Sequence, residues 1–304
     1  MDKTARVLLD VRGPMQPDLN TMTSLSRRHF IQRTGLAAVA LSVAPWARAE
    51  GKKPSLSLQL YSVRGDCAKD FDAALAEVAK MGFAGVEFAG YYGYANKGKE
   101  LRKRLDDLGL KAAATHIGTG SFRGEALQKT IDFHQELGCK YLIVPGDGDF
   151  THPEKSKALA ETFNETSAKL KPLGMFCGYH NHTAEFKKDQ GKTYWDLFAE
   201  RTNNDVVLQQ DCGWSAAAGY DPVELIKKYP GRTRVTHFKP AVLGDDKSKK
   251  PILGQDSVNW AAVYEACVQH GGTEWVTLEQ ELYPDGLSPM EATRRSFAGL
   301  KKLL

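Results

Sequence analysis

The 304-residue chain has no CxxC pair, no G-x-G-x-x-G turn after its first apolar segment and no G-x-x-x-x-G-K-S/T phosphate loop. Its five cysteines, Cys67, Cys139, Cys177, Cys212 and Cys267, are odd in number and widely spaced. That pattern argues against a disulfide framework and reads as small buried hydrophobes. The missing glycine fingerprint argues against an open dinucleotide-binding sheet. Long apolar runs are lacking as well: 35–45 (GLAAVALSVAP) falls short of the roughly 20 residues a membrane-spanning helix needs. With 42% hydrophobic and 26% charged residues, the chain is ordinary for a globular protein, and collagen-like, disordered and multi-span membrane classes are excluded.

A surplus of one charge sign is missing from all but the first 49 residues. That segment holds seven of the 41 Lys/Arg and three of the 37 Asp/Glu, which leaves 34 of each sign in the remainder. A nucleic-acid binder keeps its basic surplus in the folded part, so no nucleic-acid partner is expected. The surplus belongs instead to a leader: Ser26-Arg27-Arg28-His29-Phe30-Ile31, the apolar run, then Ala47-Arg48-Ala49 as an A-x-A-like cleavage site. The paired arginines resemble the twin-arginine class of export signal. The expectation is cleavage after Ala49, a periplasmic or secreted location, the twin-arginine export machinery as a partner and no stable membrane insertion afterwards. Met22 offers a more compact leader and is an alternative start.

After the leader, short apolar runs alternate with helical patterns. Strands are expected at 56–63, 85–88, 111–117, 140–144, 176–182, 206–211, 234–239 and 275–279. Helices are expected at 71–81, 100–108, 125–137, 153–173, 194–201, 222–229, 260–270 and from Ser288 to Leu300. Eight strand–helix units in about 250 residues fit a single-domain α/β protein, a (β/α)8 TIM barrel over 55–304.

In such a barrel, chemistry sits at the C-terminal ends of the strands. Six of the eight strands end in ionisable groups: Glu87; His116; His180 and His182; Asp211; His237 and Lys239; Glu279 and Glu281. Residues two apart share a face of a strand, so each pair points the same way. Stability alone does not call for His, Asp, His and Glu at four successive strand ends. A divalent ion needs that mixture of imidazole and carboxylate.

These residues carry a resemblance. QLYSVR at 59–64, GFAGVEFAGYYG at 82–93, YHNHTAEF at 179–186, DCGW at 211–214, THFKP at 236–240 and LEQE at 278–281 together resemble the xylose isomerase-like barrel superfamily. This is the sugar phosphate isomerase/epimerase group related to endonuclease IV. By position, the resemblance implies that Asp211, His237 and Glu279 hold one divalent ion (manganese, zinc, cobalt or magnesium). Epimerases of the group carry Glu at the end of the fifth strand; this chain has His there. His182 is favoured as the fourth ligand because it lies nearer the strand's end, with His180 as the alternative.

The resemblance further implies proton abstraction next to a carbonyl, giving an enediolate. Expected catalytic groups are Glu279, Lys239, His116 and Glu185, with Glu87, Trp214, Tyr61 and His180 binding substrate. The expected activity is a metal-dependent isomerase or epimerase on a non-phosphorylated sugar or keto-sugar. Because the fifth-strand Glu is replaced, a lyase or hydrolase on a keto-glycoside is the alternative. A non-catalytic sugar-binding barrel is less favoured. A homodimer paired through outer helices is compatible with the resemblance, although no helix shows a decisive apolar outer face. The charged loop 241–257 reads as a solvated segment or a lid over the mouth.

Overall fold

The computed structural model describes residues 53–304. The expected leader, the cut after Ala49 and the start at Met22 lie outside the described residues. Eight parallel strands run β1 (Ser55–Gln59), β2 (Gly85–Phe88), β3 (Lys111–His116), β4 (Tyr141–Val144), β5 (Phe176–His180), β6 (Val207–Gln209), β7 (Val235–Phe238) and β8 (Trp275–Leu278). Apart from β6 and β7, each pairs with its sequence neighbour, and β1 also pairs with β8. The β6–β7 seam closes through the isolated parallel bridge Asp211–His237, where the His237 N–H donates to the Gln210 carbonyl at 2.9 Å. The (β/α)8 barrel expected from the sequence is therefore the fold.

The helices are α1 (Arg64–Lys69), α2 (Phe71–Met81), α3 (Gly98–Asp107), α4 (Gly124–Leu137), α5 (Lys155–Leu170), α6 (Tyr194–Arg201), α7 (Cys212–Ala217), α8 (Pro222–Lys228), α9 (Trp260–Ala266) and α10 (Pro289–Leu303). Their starts follow local side-chain chemistry. Asp70 accepts from the Ala73 N–H at 3.0 Å to cap α2, and Asp221 accepts from the Val223 N–H at 2.8 Å with Pro222 opening α8. None of the helices among the described residues is long and apolar enough to cross a membrane. All five cysteines are free and buried, as the sequence suggests.

Alternation along each strand sorts the interior into layers. Ala114, Tyr141, Ile143, Val207 and Val235 form an apolar cluster. Two residues further along β6 and β7 stand Gln209 and His237, and two further again Asp211 and Lys239. The register brings the polar layer together: Gln59 pairs with Glu87, His180 with Gln209, and Thr277 with His237. The opposite strand faces carry large side chains into the packing between sheet and helices. Buried Phe88, Tyr179 and Phe238 are among them, meeting the fully buried Trp195, Trp260 and Phe163 of the helices, each contributing about 1.5–3 kcal/mol or more of burial.

Candidate metal centre and its cavity

Asp211 stands two residues past β6 and caps α7. Its Oδ1 accepts from the Trp214 N–H at 2.7 Å, which caps the helix, and its backbone N–H donates to Asn181 Oδ1 at 2.9 Å. Cap and amide fix the carboxylate and leave Oδ2 buried with no hydrogen-bond partner. The following turn packs close to β7. A Cβ on Gly213 would stand 2.1 Å from the Lys239 carbonyl oxygen, so only glycine allows the approach.

His237 sits between two carboxylates. Its Nδ1 lies 3.0 Å from Glu279 Oε2 and 3.9 Å from Asp211 Oδ2, while its Nε2 lies 3.1 Å from Glu87 Oε1. Donor atoms of His180, Asp211, His237 and Glu279 all lie within 4.8 Å of one another. Two imidazoles and two carboxylates suit a borderline divalent ion. A buried carboxylate oxygen without a partner is costly, and a cation at this point would offset that cost. The residues present therefore fit such an ion.

A network behind the cluster assigns the histidine tautomers. The Gln209 amide donates to both oxygens of Glu87, at 3.1 and 2.9 Å. Its Oε1 therefore faces the other way and accepts from His180 Nδ1 at 3.1 Å and His116 Nε2 at 2.8 Å. His180 is left with a free lone pair on Nε2. His116 is not: its Nδ1 faces the Gln59 amide at 3.4 Å and its Nε2 also contacts Glu87 at 2.6 Å. His116 shares a second donor group with His180 and His237, but both of its nitrogens are engaged.

Electrostatics follow the same geometry. Burial, reinforced by neighbouring His237 and His116, pulls His180 well below its ordinary range and keeps it neutral. Burial also works against charge on His237, but Glu87 and Glu279 outweigh it and raise that ring to about 10. Glu87 is held well below the carboxylate range despite burial, because His237 and His116 flank it. In the close pair, burial raises Asp211, whereas His237 and Lys239 overcome burial to hold Glu279 low. Lys239 is raised above its ordinary value: burial opposes its charge, but Glu279, Asp211 and Glu281 favour it. Its ammonium pairs with Glu281, lies 3.7 Å from Glu279 Oε2 and stands 4.6 Å from the centre of the Trp214 ring.

The centre opens into a cavity of about 370 Å³ whose walls include Tyr61, His116, His180, His182, Glu279 and Glu281. Sequence expectations are revised at three positions. The four-donor cluster contains His180, the alternative the sequence left open, and not the favoured His182. Glu87 does not face substrate: it is fully buried, and its oxygens are occupied by Gln59, Gln209, His116 and His237. Glu185 turns away into its own loop, where Oε2 accepts from the His182 N–H at 2.7 Å and burial raises its carboxyl. Tyr61 lines the cavity, with the Arg64 guanidinium 4.3 Å over its ring. Gln59 and Gln209 escaped sequence reasoning. Their only signal was a polar side chain inside otherwise apolar strands, LSLQL and VVLQQ.

A parallel (β/α)8 barrel with a mixed imidazole–carboxylate cluster at its mouth defines the class. The family described as xylose isomerase-like TIM barrel matches residues 75–303, and the chain belongs to that family. It is similar to the inosose dehydratase of Geobacillus kaustophilus, 24% identical over 255 residues, covering 70% of this chain and 80% of the relative. Among solved structures it is similar to a sugar phosphate isomerase/epimerase from Parabacteroides distasonis. There the TM-score is 0.68 at 26% identity, over 82% of this chain and 98% of that one. A structure of IolI protein with a bound zinc atom shares the fold, with TM-score 0.60 at 16% identity over 82% and 97% of the two chains.

Proposed function

We propose that the chain is a metal-dependent lyase that acts on a non-phosphorylated keto-sugar, removing the proton next to the carbonyl and expelling a group from the next carbon. The observation that carries this reading is the partnerless buried Asp211 Oδ2, set among His180, His237 and Glu279 at a cavity large enough for a sugar. An ion held there would supply Lewis-acid stabilisation of the charge developing on the carbonyl oxygen. Similarity to inosose dehydratases and the zinc bound by IolI protein support the reading.

The chain's own residues then handle protons. Glu279 is committed to His237 and to the donor cluster. Glu281, two residues on, lines the same cavity and is the carboxylate placed to accept the proton from carbon. The paired Lys239 ammonium donates a proton to the departing oxygen. Transfer from Glu281 to Lys239 along their direct contact restores both groups. Two-base epimerisation needs a second base on the opposite face of the sugar, and on β5 the expected carboxylate is replaced by His180, whose lone pair belongs to the donor cluster. A second reading, epimerisation, is favoured by His182, which lines the same cavity as Glu279 and would return the proton there.

Metal content measured by mass spectrometry on protein purified without added metal tests the centre. Near-stoichiometric zinc, manganese or cobalt in wild type, lost in Asp211→Ala and His237→Ala, is expected. NMR of a keto-sugar in deuterated water tests the outcome. Elimination gives an unsaturated ketone or its diketone tautomer, whereas epimerisation gives an isomer with one exchanged proton. We further propose that the leader 1–49 exports this enzyme, so that it meets substrate outside the cytoplasm.

A further inference from the structure

Beside the sugar-sized cavity lies a larger one, about 970 Å³, between α7 and the loops after β7 and β8. Glu281 lines both cavities, so they meet at the proposed proton acceptor. Lys239 stands in the wall of the larger one. The remaining wall mixes apolar side chains, Trp214, Ala217, Val242 and Leu282 among them, with the charged Asp245, Asp246, Lys247 and Lys249. Leu282, 62% exposed, and Val242, 36% exposed, leave apolar surface open to solvent where they line this cavity. The buried Trp214 Nε1 has no hydrogen-bond partner, so one donor in this wall is free. Ligand pockets run from about 300 to 1,000 Å³. The smaller cavity is near the bottom of that range and suits one sugar ring, whereas the larger is near the top.

We infer that the substrate is a glycoside, with its keto-sugar ring in the smaller cavity and an aglycone presenting an apolar ring face in the larger. This rests on the lyase reading and names its leaving group. The two cavities share Glu281, its ion-pair partner Lys239 stands in the wall of the larger one, and the bond between sugar and aglycone lies beside that pair. With the carbonyl at C3 of the sugar, the C2–H proton passes to Glu281. Its electron pair forms the C1=C2 double bond, the C1–O bond breaks, and the aglycone oxygen takes a proton from Lys239. The products are an unsaturated keto-sugar and a free alcohol or phenol, with no oxidant, reductant or water consumed.

The test separates binding from turnover. Calorimetric titration of the full enzyme with the unreactive p-nitrophenyl β-glucoside and methyl β-glucoside measures the subsite alone. The aryl compound is expected to bind at least tenfold more tightly. Ala217→Trp, which fills the cavity from an exposed helix position, is expected to remove most of that preference. Leu282→Ser, at an exposed loop position outside the folded core, is expected to reduce it about threefold. Equal binding of the two glucosides by wild type, or a preference untouched by both variants, overturns the inference. The 3-keto form of the aryl glucoside is then assayed by release of p-nitrophenol. Release that falls in Ala217→Trp relative to turnover of the free keto-sugar supports the whole scheme. Aryl-selective binding without release upholds the subsite and refutes the lyase reading instead.

Discussion

Replacing Glu87 by Gln probes the deepest part of the site. The carboxylate is fully buried and accepts from Gln59, Gln209, His116 and His237. Glutamine keeps the shape but exchanges one acceptor oxygen for an NH2 group, which must then face another donor. The contact that matters is His237 Nε2 at 3.1 Å. A carboxylate there fixes the ring so that Nδ1 faces Glu279 and Asp211, and it makes that nitrogen a stronger ligand. Removing such a partner weakens metal binding by about 10–100-fold, or roughly 1.4–2.8 kcal/mol. Zinc and manganese affinities measured by chelator competition, beside circular dichroism to confirm folding, give the comparison. A folded variant with a metal Kd within twofold of wild type refutes the reasoning. A raised KM at unchanged metal affinity would return Glu87 to the substrate-binding role its sequence position suggested.

Three further outcomes follow from the same geometry. His180→Ala should lose bound metal, whereas His182→Ala should retain it; metal content by mass spectrometry that is equal in the two variants, or lost only in His182→Ala, would refute the assignment. His134 is buried, hydrogen-bonded to Tyr91 at 2.7 Å and the Thr130 carbonyl at 2.6 Å, and burial lowers it from 6.5 to about 4. Between those values the unfolded chain takes up a proton that the folded chain refuses. Stability should therefore fall as pH drops from about 6.5 to 4, by roughly 3 kcal/mol in all, and urea titrations of His134→Gln should show a flatter profile over that window. Exported protein should begin at Glu50 by N-terminal sequencing, and replacing Arg27 and Arg28 together by Lys should keep it in the cytoplasm.

The barrel was legible because its units are periodic. GVEF at 85–88 and the helix at 194–201 coincide with β2 and α6, since apolar runs and capping residues mark their edges. The errors lie where side chains redirect the backbone. The first strand was expected to run to Val63, but the Gln59 side chain accepts from the Tyr61 N–H at 3.1 Å and starts a 3-10 turn at Leu60–Val63. The helix α7 went unread because six residues, CGWSAA, show no period, and Asp211 was weighed as a ligand rather than as a cap. Asp211, His237 and Glu279 were placed together by position. The choice between His180 and His182 was not legible, because alternation fixes a face and not a depth. Gln59 and Gln209 were missed for a related reason: one polar residue in a short strand carries no pattern, and its meaning depends on which strands become neighbours.

The β6–β7 seam gives the donor cluster a mechanical aspect. Seven of the eight strand junctions are ladders, while the eighth has one bridge, made by Asp211 and His237, two of the four candidate ligands, beside a Leu208 N–H that donates to the Arg232 carbonyl at 2.9 Å. An ion shared by that pair would act as a clasp on the sheet itself. Ligand concentration then sets how firmly the cylinder is shut, with about 2.7 kcal/mol of added stability at a hundredfold excess over Kd. Loss of the ion would be felt first as breathing at one seam, along the wall that carries Trp214 and Lys239, and so the shape of the mouth and the integrity of the barrel would be governed by the same few atoms.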